Sequence, residues 1–199
     1  MKSIIIIGNA EPKKNYSVII DNADIVVRFN NARNFQSGLV GEKTDVLCIA
    51  NTGDPGRKFA KYRRIRKLSF IDNVTEVWFP FFSNHLAAQF WFKPFDKNIF
   101  NKMDYYYWII KRNDLTKKQI IHFGLHQNLS AFNELNLENQ KFRPSSGYLV
   151  TKYIIEKYSQ DNFCITLIGF SFSGSTHHNW KEEEKNFLQL HKNGIITIL

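Results

Sequence analysis

Hydrophobic residues fall along the chain in short unbroken runs, each closed by glycine or polar residues. The first is Ile4 to Ile7, four β-branched residues ended by Gly8-Asn9. Runs of the same kind follow at Ile25-Val26-Val27-Arg28-Phe29, Asp45 to Ile49, Glu76 to Phe79, Gln119 to Phe123, Cys164 to Gly169 and Ile195 to Ile198. Continuous runs of this length mark strands covered on both faces, as in a parallel sheet. Helix-period stretches lie between several of them, notably Ser146 to Tyr158 and Trp180 to His191. The alternation predicts an α/β fold: a single Rossmann-like domain over residues 1–199, with a mostly parallel central sheet flanked by helices. Ligands of such sheets collect at the carboxyl ends of the strands, where Gly8-Asn9, Arg28 to Asn31 and Gly169 to His178 should converge.

A chain of 199 residues with 43% apolar and 15% aromatic side chains suits one well-buried core. Aromatics crowd between Trp78 and Trp108 without clean periodicity. They predict a cap over about 78–115 that packs on the core; the functional alternative is that part of it lines an acceptor cleft, since aromatic faces stack on pyranose rings. A net charge of +9 and a pI near 9.5 favour polyanionic partners. Seven cations lie between Arg57 and Lys67, where Phe59, Tyr62, Ile65 and Leu68 fall three apart. That spacing predicts a helix that buries the apolar stripe and holds the cations in solvent, available for peripheral contact with an anionic membrane. Nucleic acid is not expected, because no recognised binding motif accompanies the charge.

Cys48 and Cys164 sit in apolar runs without metal spacing, so both are expected to be reduced core thiols of a cytosolic protein. The apolar stretch at the N-terminus is too short for a secretory segment and no run reaches spanning length. The expected location is cytoplasmic, with any membrane met from its surface.

Three segments carry candidate chemistry. Gly8 after a strand lets a ligand approach the backbone, and the Asn9 amide can donate to phosphate or sugar oxygens. Arg143-Pro144-Ser145-Ser146-Gly147 followed by an apolar run reads as a helix start whose free N–H groups can hold an anion. His177-His178 stand just before a helix that carries Glu182 and Glu183, giving two His-x4-Glu pairs.

In order and spacing these segments resemble the sialyltransferase family. Residues 3 to 54 carry strand, Gly8-Asn9, Ile20-Asp21, Val27-Arg28-Phe29-Asn30 and Val40-Gly41-Glu42-Lys43-Thr44, and resemble its large sialylmotif. Pro144-Ser145-Ser146-Gly147, with the strand ending Gly169-Phe170, resembles the small motif. The histidine pair is similar to the very small motif. The middle of the chain is unmatched.

The resemblance implies a bacterial, anchor-free member with a variant glycosyltransferase A-like fold. It would move sialic acid from CMP-sialic acid, with inversion, to a hydroxyl of a glycan acceptor such as a lipooligosaccharide or capsule. It implies that Gly8, Asn9 and Asn30 contact CMP with Arg28 bracing their loop, and that Ser145, Ser146, Gly147, Gly169 and Phe170 bind cytidine and phosphate. His178 would be the catalytic base, with His177 as the alternative and Glu182 or Glu183 in support. No metal or cofactor is expected, since CMP leaves as a monophosphate and the sequence has no Asp-x-Asp. The alternatives are another CMP-activated acidic sugar such as CMP-Kdo, or a non-catalytic nucleotide- or glycan-binding module.

Overall fold

The computed structural model describes residues 2–82, 104–137, 142–159 and 162–199. Among the described residues, seven strands form one sheet: β1 (Lys2–Ile7), β2 (Ile25–Phe29), β3 (Val46–Cys48), β4 (Glu76–Phe79), β5 (Gln119–His122), β6 (Phe163–Ile168) and β7 (Thr197–Ile198). Their order is β5-β4-β3-β2-β1-β6-β7, and every neighbouring pair is parallel. Each run expected from the sequence overlaps a strand, with β3, β5 and β7 shorter than their runs.

Six α-helices among the described residues cover the sheet. The connections α1 (Ser17–Asp21), α2 (Gly53–Tyr62) and α3 (Tyr106–Arg112) lie on one face, and α4 (Leu125–Glu134), α5 (Ser146–Lys157) and α6 (Trp180–Lys192) on the other. Strand β1 illustrates why the core has two halves. Ile4 and Ile6 pack under α5 and α6, whereas Ile5 and Ile7 pack under Ile20 of α1, as alternation along a strand requires. The four isoleucines are at most 4% exposed, so the strand reads as an unbroken apolar run rather than an alternating one.

The chain leaves β1 towards β2 on one side and returns through β6 on the other. The β1/β6 boundary is therefore the topological switch point, where a crevice opens at the carboxyl edge. Gly8 and Gly169 follow these two strands. A Cβ on Gly8 would stand 2.1 Å from the Gly169 carbonyl oxygen, and Gly169 has a φ of +71°. Side chains at either position would push the two loops apart.

Two expectations are corrected. The basic stripe is not one helix: α2 stops at Tyr62, Arg63 takes a left-handed conformation (φ 51°), and a 3₁₀ turn follows at Ile65–Lys67. Phe59 and Ile65 are buried, but Tyr62 is 47% exposed. The physical cause is Asn113, whose side chain takes the Ile65 and Arg66 N–H groups and donates to the Phe59 carbonyl, replacing the continued helix. Cys48 is a core thiol that burial pushes up in pKa, whereas Cys164 is exposed. Of the aromatic cap, Trp78, Phe79, Phe81 and Tyr105 are buried in the core and Tyr107 is exposed. Phe90, Trp91, Phe92, Phe95 and Phe100 lie outside the described residues.

Candidate active site

A cleft of about 510 Å³ opens at the switch point, lined by the loops after β1, β2 and β6 and by the starts of α5 and α6. Of the residues singled out in the sequence, Gly8, Asn9, Asn30, Ser145, Ser146, Gly147, Gly169, Phe170, His178 and Glu183 line it. Arg28, His177 and Glu182 do not.

The loops after β1 and β2 are tied to each other. Asn34 Nδ2 donates to the Ala10 carbonyl at 2.6 Å, and the Arg33 N–H donates to Asn9 Oδ1 at 3.2 Å. Asn30, with a left-handed φ of 57°, accepts the Ala50 N–H on its Oδ1 at 2.9 Å. Both asparagine oxygens are thus occupied by backbone donors, which sets the amide orientation and leaves each Nδ2 as the group offered to the cleft. Two side-chain donors side by side suit an anion or a ring of hydroxyls.

Arg28 explains a different part of the same sequence pattern. It is 1% exposed. Its Nε donates to the Lys43 carbonyl and Thr44 Oγ1, and its Nη2 to the carbonyls of Val40 and Gly41. Burial lowers its pKa to about 10, against the opposing pull of Asp21. The Asp21 carboxylate in turn accepts the Glu42 and Lys43 N–H groups. Asp21, Arg28 and Val40 to Thr44 therefore form one hydrogen-bonded scaffold behind the loop that carries Asn30, with Arg28, Val40 and Thr44 buried within it. Arg28 faces that scaffold, where its Nε and Nη2 make four hydrogen bonds, three to carbonyls and one to the Thr44 hydroxyl.

Across the cleft, Pro144 precedes the twelve-residue helix α5 and Ser145 caps it, Oγ accepting the Tyr148 N–H. The first turn of the helix, with Ser146 and Gly147, faces the cleft, so its free N–H groups and the positive end of the dipole are presented there. Glu183 of α6 secures the cap. Its Oε1 accepts the Ser145 N–H at 2.7 Å and its Oε2 accepts the Ser145 hydroxyl at 2.6 Å. Glu183 is 1% exposed, and burial pushes its carboxyl up to about 7 while the two Ser145 hydrogen bonds pull it down.

His178 closes the cleft. Its Nδ1 faces the Arg143 carbonyl oxygen at 2.8 Å; a carbonyl accepts, so Nδ1 carries the proton and Nε2 keeps its lone pair. Burial lowers the pKa of the imidazole, the Arg143 carbonyl raises it, and the Arg143 and His177 charges lower it further. His177 uses only its backbone on this side, its carbonyl accepting the Arg143 N–H, and its side chain is exposed. Of the two pairs with equal spacing, the helix phase of α6 brings Glu183 inward and leaves Glu182 at the surface beside Lys185, 3.7 Å away.

The structure also adds Arg33, Ser171, Ser173, Ser175 and Trp180 to the cleft. Among the described lining residues Arg33 is the only permanent cation and Glu183 the only carboxylate. Arg33 was legible as the third residue after Asn30 on the same loop. The serines were legible as a polar string directly after the β6 run. Trp180, whose Nε1 donates to the Ser175 carbonyl and whose ring stands against His178 at 4.9 Å, carries no sequence signal beyond its place at the start of α6.

The architecture is the one found in sialyltransferases. A mammalian sialyltransferase in complex with Gal-beta-1-3GalNAc-ortho-nitrophenol superposes with a TM-score of 0.63 at 17% identity, over 100% of this chain and 69% of that one. The sialyltransferase CST-II, in complex with a trisaccharide acceptor and CMP, superposes with a TM-score of 0.51 at 16% identity, over 99% of this chain and 80% of the other. At such identities the likeness is one of fold. In sequence, the chain is 24% identical over 186 residues to the "Urease operon 23 kDa accessory protein" of Rhizobium meliloti (strain 1021), spanning 92% of this chain and 85% of that protein. No protein-family model matches the chain.

Proposed function

We propose that the protein is an inverting, metal-independent glycosyltransferase that moves sialic acid from CMP-sialic acid to a hydroxyl of a glycan acceptor. One observation carries this reading. Two asparagine Nδ2 donors, a helix N-terminus and a histidine with a free Nε2 line a single cleft at the switch point of the sheet.

The donors hold CMP: Asn9, Asn30 and the Ser146 and Gly147 N–H groups meet the phosphate and ribose, and the aromatic Phe170 borders the base. His178 Nε2 removes the proton from the acceptor hydroxyl as its oxygen attacks the anomeric carbon. The bond from that carbon to the phosphate oxygen breaks through an oxocarbenium-like state, its electron pair leaving with CMP, and attack from the opposite face inverts the centre. The fixed N–H donors are strongest where the departing phosphate gathers charge. A monophosphate leaving group presents no diphosphate to chelate, so no step calls on a divalent cation. The fold shared with CST-II, solved with CMP and a trisaccharide acceptor, supports this donor class. The acceptor is a bacterial lipooligosaccharide or capsule glycan, met at the inner face of the cytoplasmic membrane. No helix among the described residues is long and apolar enough to cross a membrane.

The likeness to a urease-operon accessory protein favours a second reading, a non-catalytic nucleotide- or glycan-binding module. Incubation with CMP-sialic acid or CMP-Kdo in EDTA, with lactose and galactoside acceptors, separates the two by mass spectrometry. Consumption of CMP-sialic acid with a matching gain in acceptor mass, lost in His178→Ala, is the expected result. CMP binding with neither donor consumed would establish the module instead.

A further inference from the structure

The cations that follow α2 have no part in the cleft. Helices α2 and α3 both begin near the carboxyl edge, where Thr52 bridges to Asp104, and both run back to feed the amino ends of β4 and β5. Their carboxyl ends therefore meet at the opposite pole of the molecule. There Arg63, Arg66, Trp108, Lys111, Arg112 and Asp114 line a groove of about 320 Å³.

The groove is built on a rigid frame. Asn113 is 2% exposed and uses its whole hydrogen-bonding capacity. Its Oδ1 accepts the Ile65 and Arg66 N–H groups at 3.0 and 3.3 Å, and its Nδ2 donates to the carbonyls of Phe59 and Ile109 at 3.2 and 2.9 Å. The turn with Arg63 and Arg66 is thereby clamped against the helix with Lys111 and Arg112. Among the described lining residues one carboxylate faces these four cations: Asp114, 3.2 Å from Arg66. Such crowding of like charge is relieved by a bound anion.

The aromatic residues next to the groove bear on the anion's setting. Tyr62 and Tyr107, which adjoin the lining residues Arg63 and Trp108 in the chain, are 47% and 40% exposed, the latter with its ring against Trp108 at 5.5 Å. Rings with one apolar and one polar end, set among lysine and arginine, fit the headgroup depth of a bilayer. Tyr62 is already engaged by Lys61 and Arg64, at 5.3 and 5.4 Å from its ring, which disfavours the open stacking that single-stranded nucleic acid uses.

We propose that this pole docks on anionic phospholipid, with the groove taking a lipid phosphate. The proposal does not depend on the donor chemistry of the cleft. Docked this way, the cleft opens away from the bilayer and receives acceptor groups remote from the lipid surface.

Flotation of the full chain with vesicles tests it. Binding is expected to phosphatidylcholine vesicles containing 30% phosphatidylglycerol and not to phosphatidylcholine alone. Arg63→Ala/Arg66→Ala/Lys111→Ala/Arg112→Ala should weaken binding by at least about a hundredfold, at roughly fivefold per cation. Lys13→Ala/Lys14→Ala/Lys181→Ala/Lys185→Ala, which removes equal charge elsewhere, should stay within about fivefold of the parent if the groove, rather than net charge, sets affinity. As a measurement that needs no multiple variant, brominated phosphatidylglycerol should quench the fluorescence lost in Trp108→Phe. Equal losses in both quadruple variants, binding to neutral vesicles, absence of Trp108 quenching, or tighter groove-dependent binding to a single-stranded oligonucleotide would each overturn the proposal. Failure of CMP to bind would leave these results standing and count against the transferase alone.

Discussion

Replacing Glu183 by glutamine should remove a slope from the pH dependence of stability. The carboxyl is buried against Ser145 and pushed from its ordinary 4.5 up to about 7. The folded chain thus holds this proton more tightly than the unfolded chain does. Its contribution to stability is fully present below pH 4.5 and is lost as pH rises through 7. At about 1.4 kcal/mol per pH unit the full effect is about 3 kcal/mol, of which roughly 2–3 kcal/mol falls between pH 5 and pH 8. Glutamine keeps the shape, accepts the Ser145 N–H and donates to Ser145 Oγ, but does not titrate. Urea unfolding of the parent and Glu183→Gln at pH 5, 6, 7 and 8 isolates the term, since every other group titrates alike in both. The variant should gain about 2–3 kcal/mol relative to the parent from pH 5 to pH 8, or roughly 5–10 °C in midpoint for a domain of this size. Profiles parallel to within about 0.5 kcal/mol would refute the buried, proton-retaining carboxyl. A linked effect follows in the cleft: ionisation of Glu183 places a negative charge beside Ser145, so from pH 6 to pH 8 CMP affinity should fall in the parent relative to the variant, the second ionisation of the phosphate at about pH 6 being common to both.

His178→Ala should lower kcat by about 10²–10⁴-fold while CMP affinity changes less than about twofold, because the imidazole moves a proton and does not hold the nucleotide. The pKa of His178 is lowered, so kcat/KM should rise with pH to an inflection below the usual histidine value near 6.5 and bend down near pH 7 as Glu183 ionises. An inflection above the usual histidine value would argue against His178 as the base. Arg33→Ala should weaken CMP by about three- to tenfold and leave cytidine unchanged, as expected for an exposed charge-assisted contact to phosphate; equal losses for both ligands would place Arg33 elsewhere. Asn113→Ala leaves two buried N–H groups and a carbonyl unpaired and should cost about 3 kcal/mol, read as a fall of roughly 6–12 °C in thermal midpoint. A fall under about 2 °C would show that the turn at Ile65 does not depend on Asn113.

Much of the frame was legible because it rests on local pattern. Ile4 to Ile7, or Glu76 to Phe79, can satisfy their burial only as covered strands, and Gly8 and Gly169 mark where two such strands release the chain. The cap at Ser145 was legible for the same reason, since proline, serine and a following apolar run specify a helix start within a few residues. Contacts between distant segments were less visible. The spacing of His178 and Glu183 is printed in the sequence, but the partner of Glu183 is Ser145, 38 residues away, and only the packing of α6 against α5 makes that pair. Arg28 sits within a pattern whose asparagine faces the cleft, yet its donors point into the loop at Val40 to Thr44. The break at Arg63 contradicts a helical stripe because Asn113, far along the chain, offers better partners than the next helical turn. Cys164 reads as core from its neighbours, but it is the second residue of a strand whose first positions lie at the margin of the sheet and reach solvent.

Calorimetric titration of the chain with CMP in the presence of EDTA, with Asn9→Ala and Asn30→Ala alongside, bears on whether the switch-point cleft is a donor site. A single site for CMP, unaffected by EDTA and weakened at least tenfold in each variant, is the expected result, since each amide contributes a hydrogen bond to a charged ligand worth about 1.5–3 kcal/mol. No binding of CMP, or binding that both variants retain in full, would contradict the assignment of the cleft.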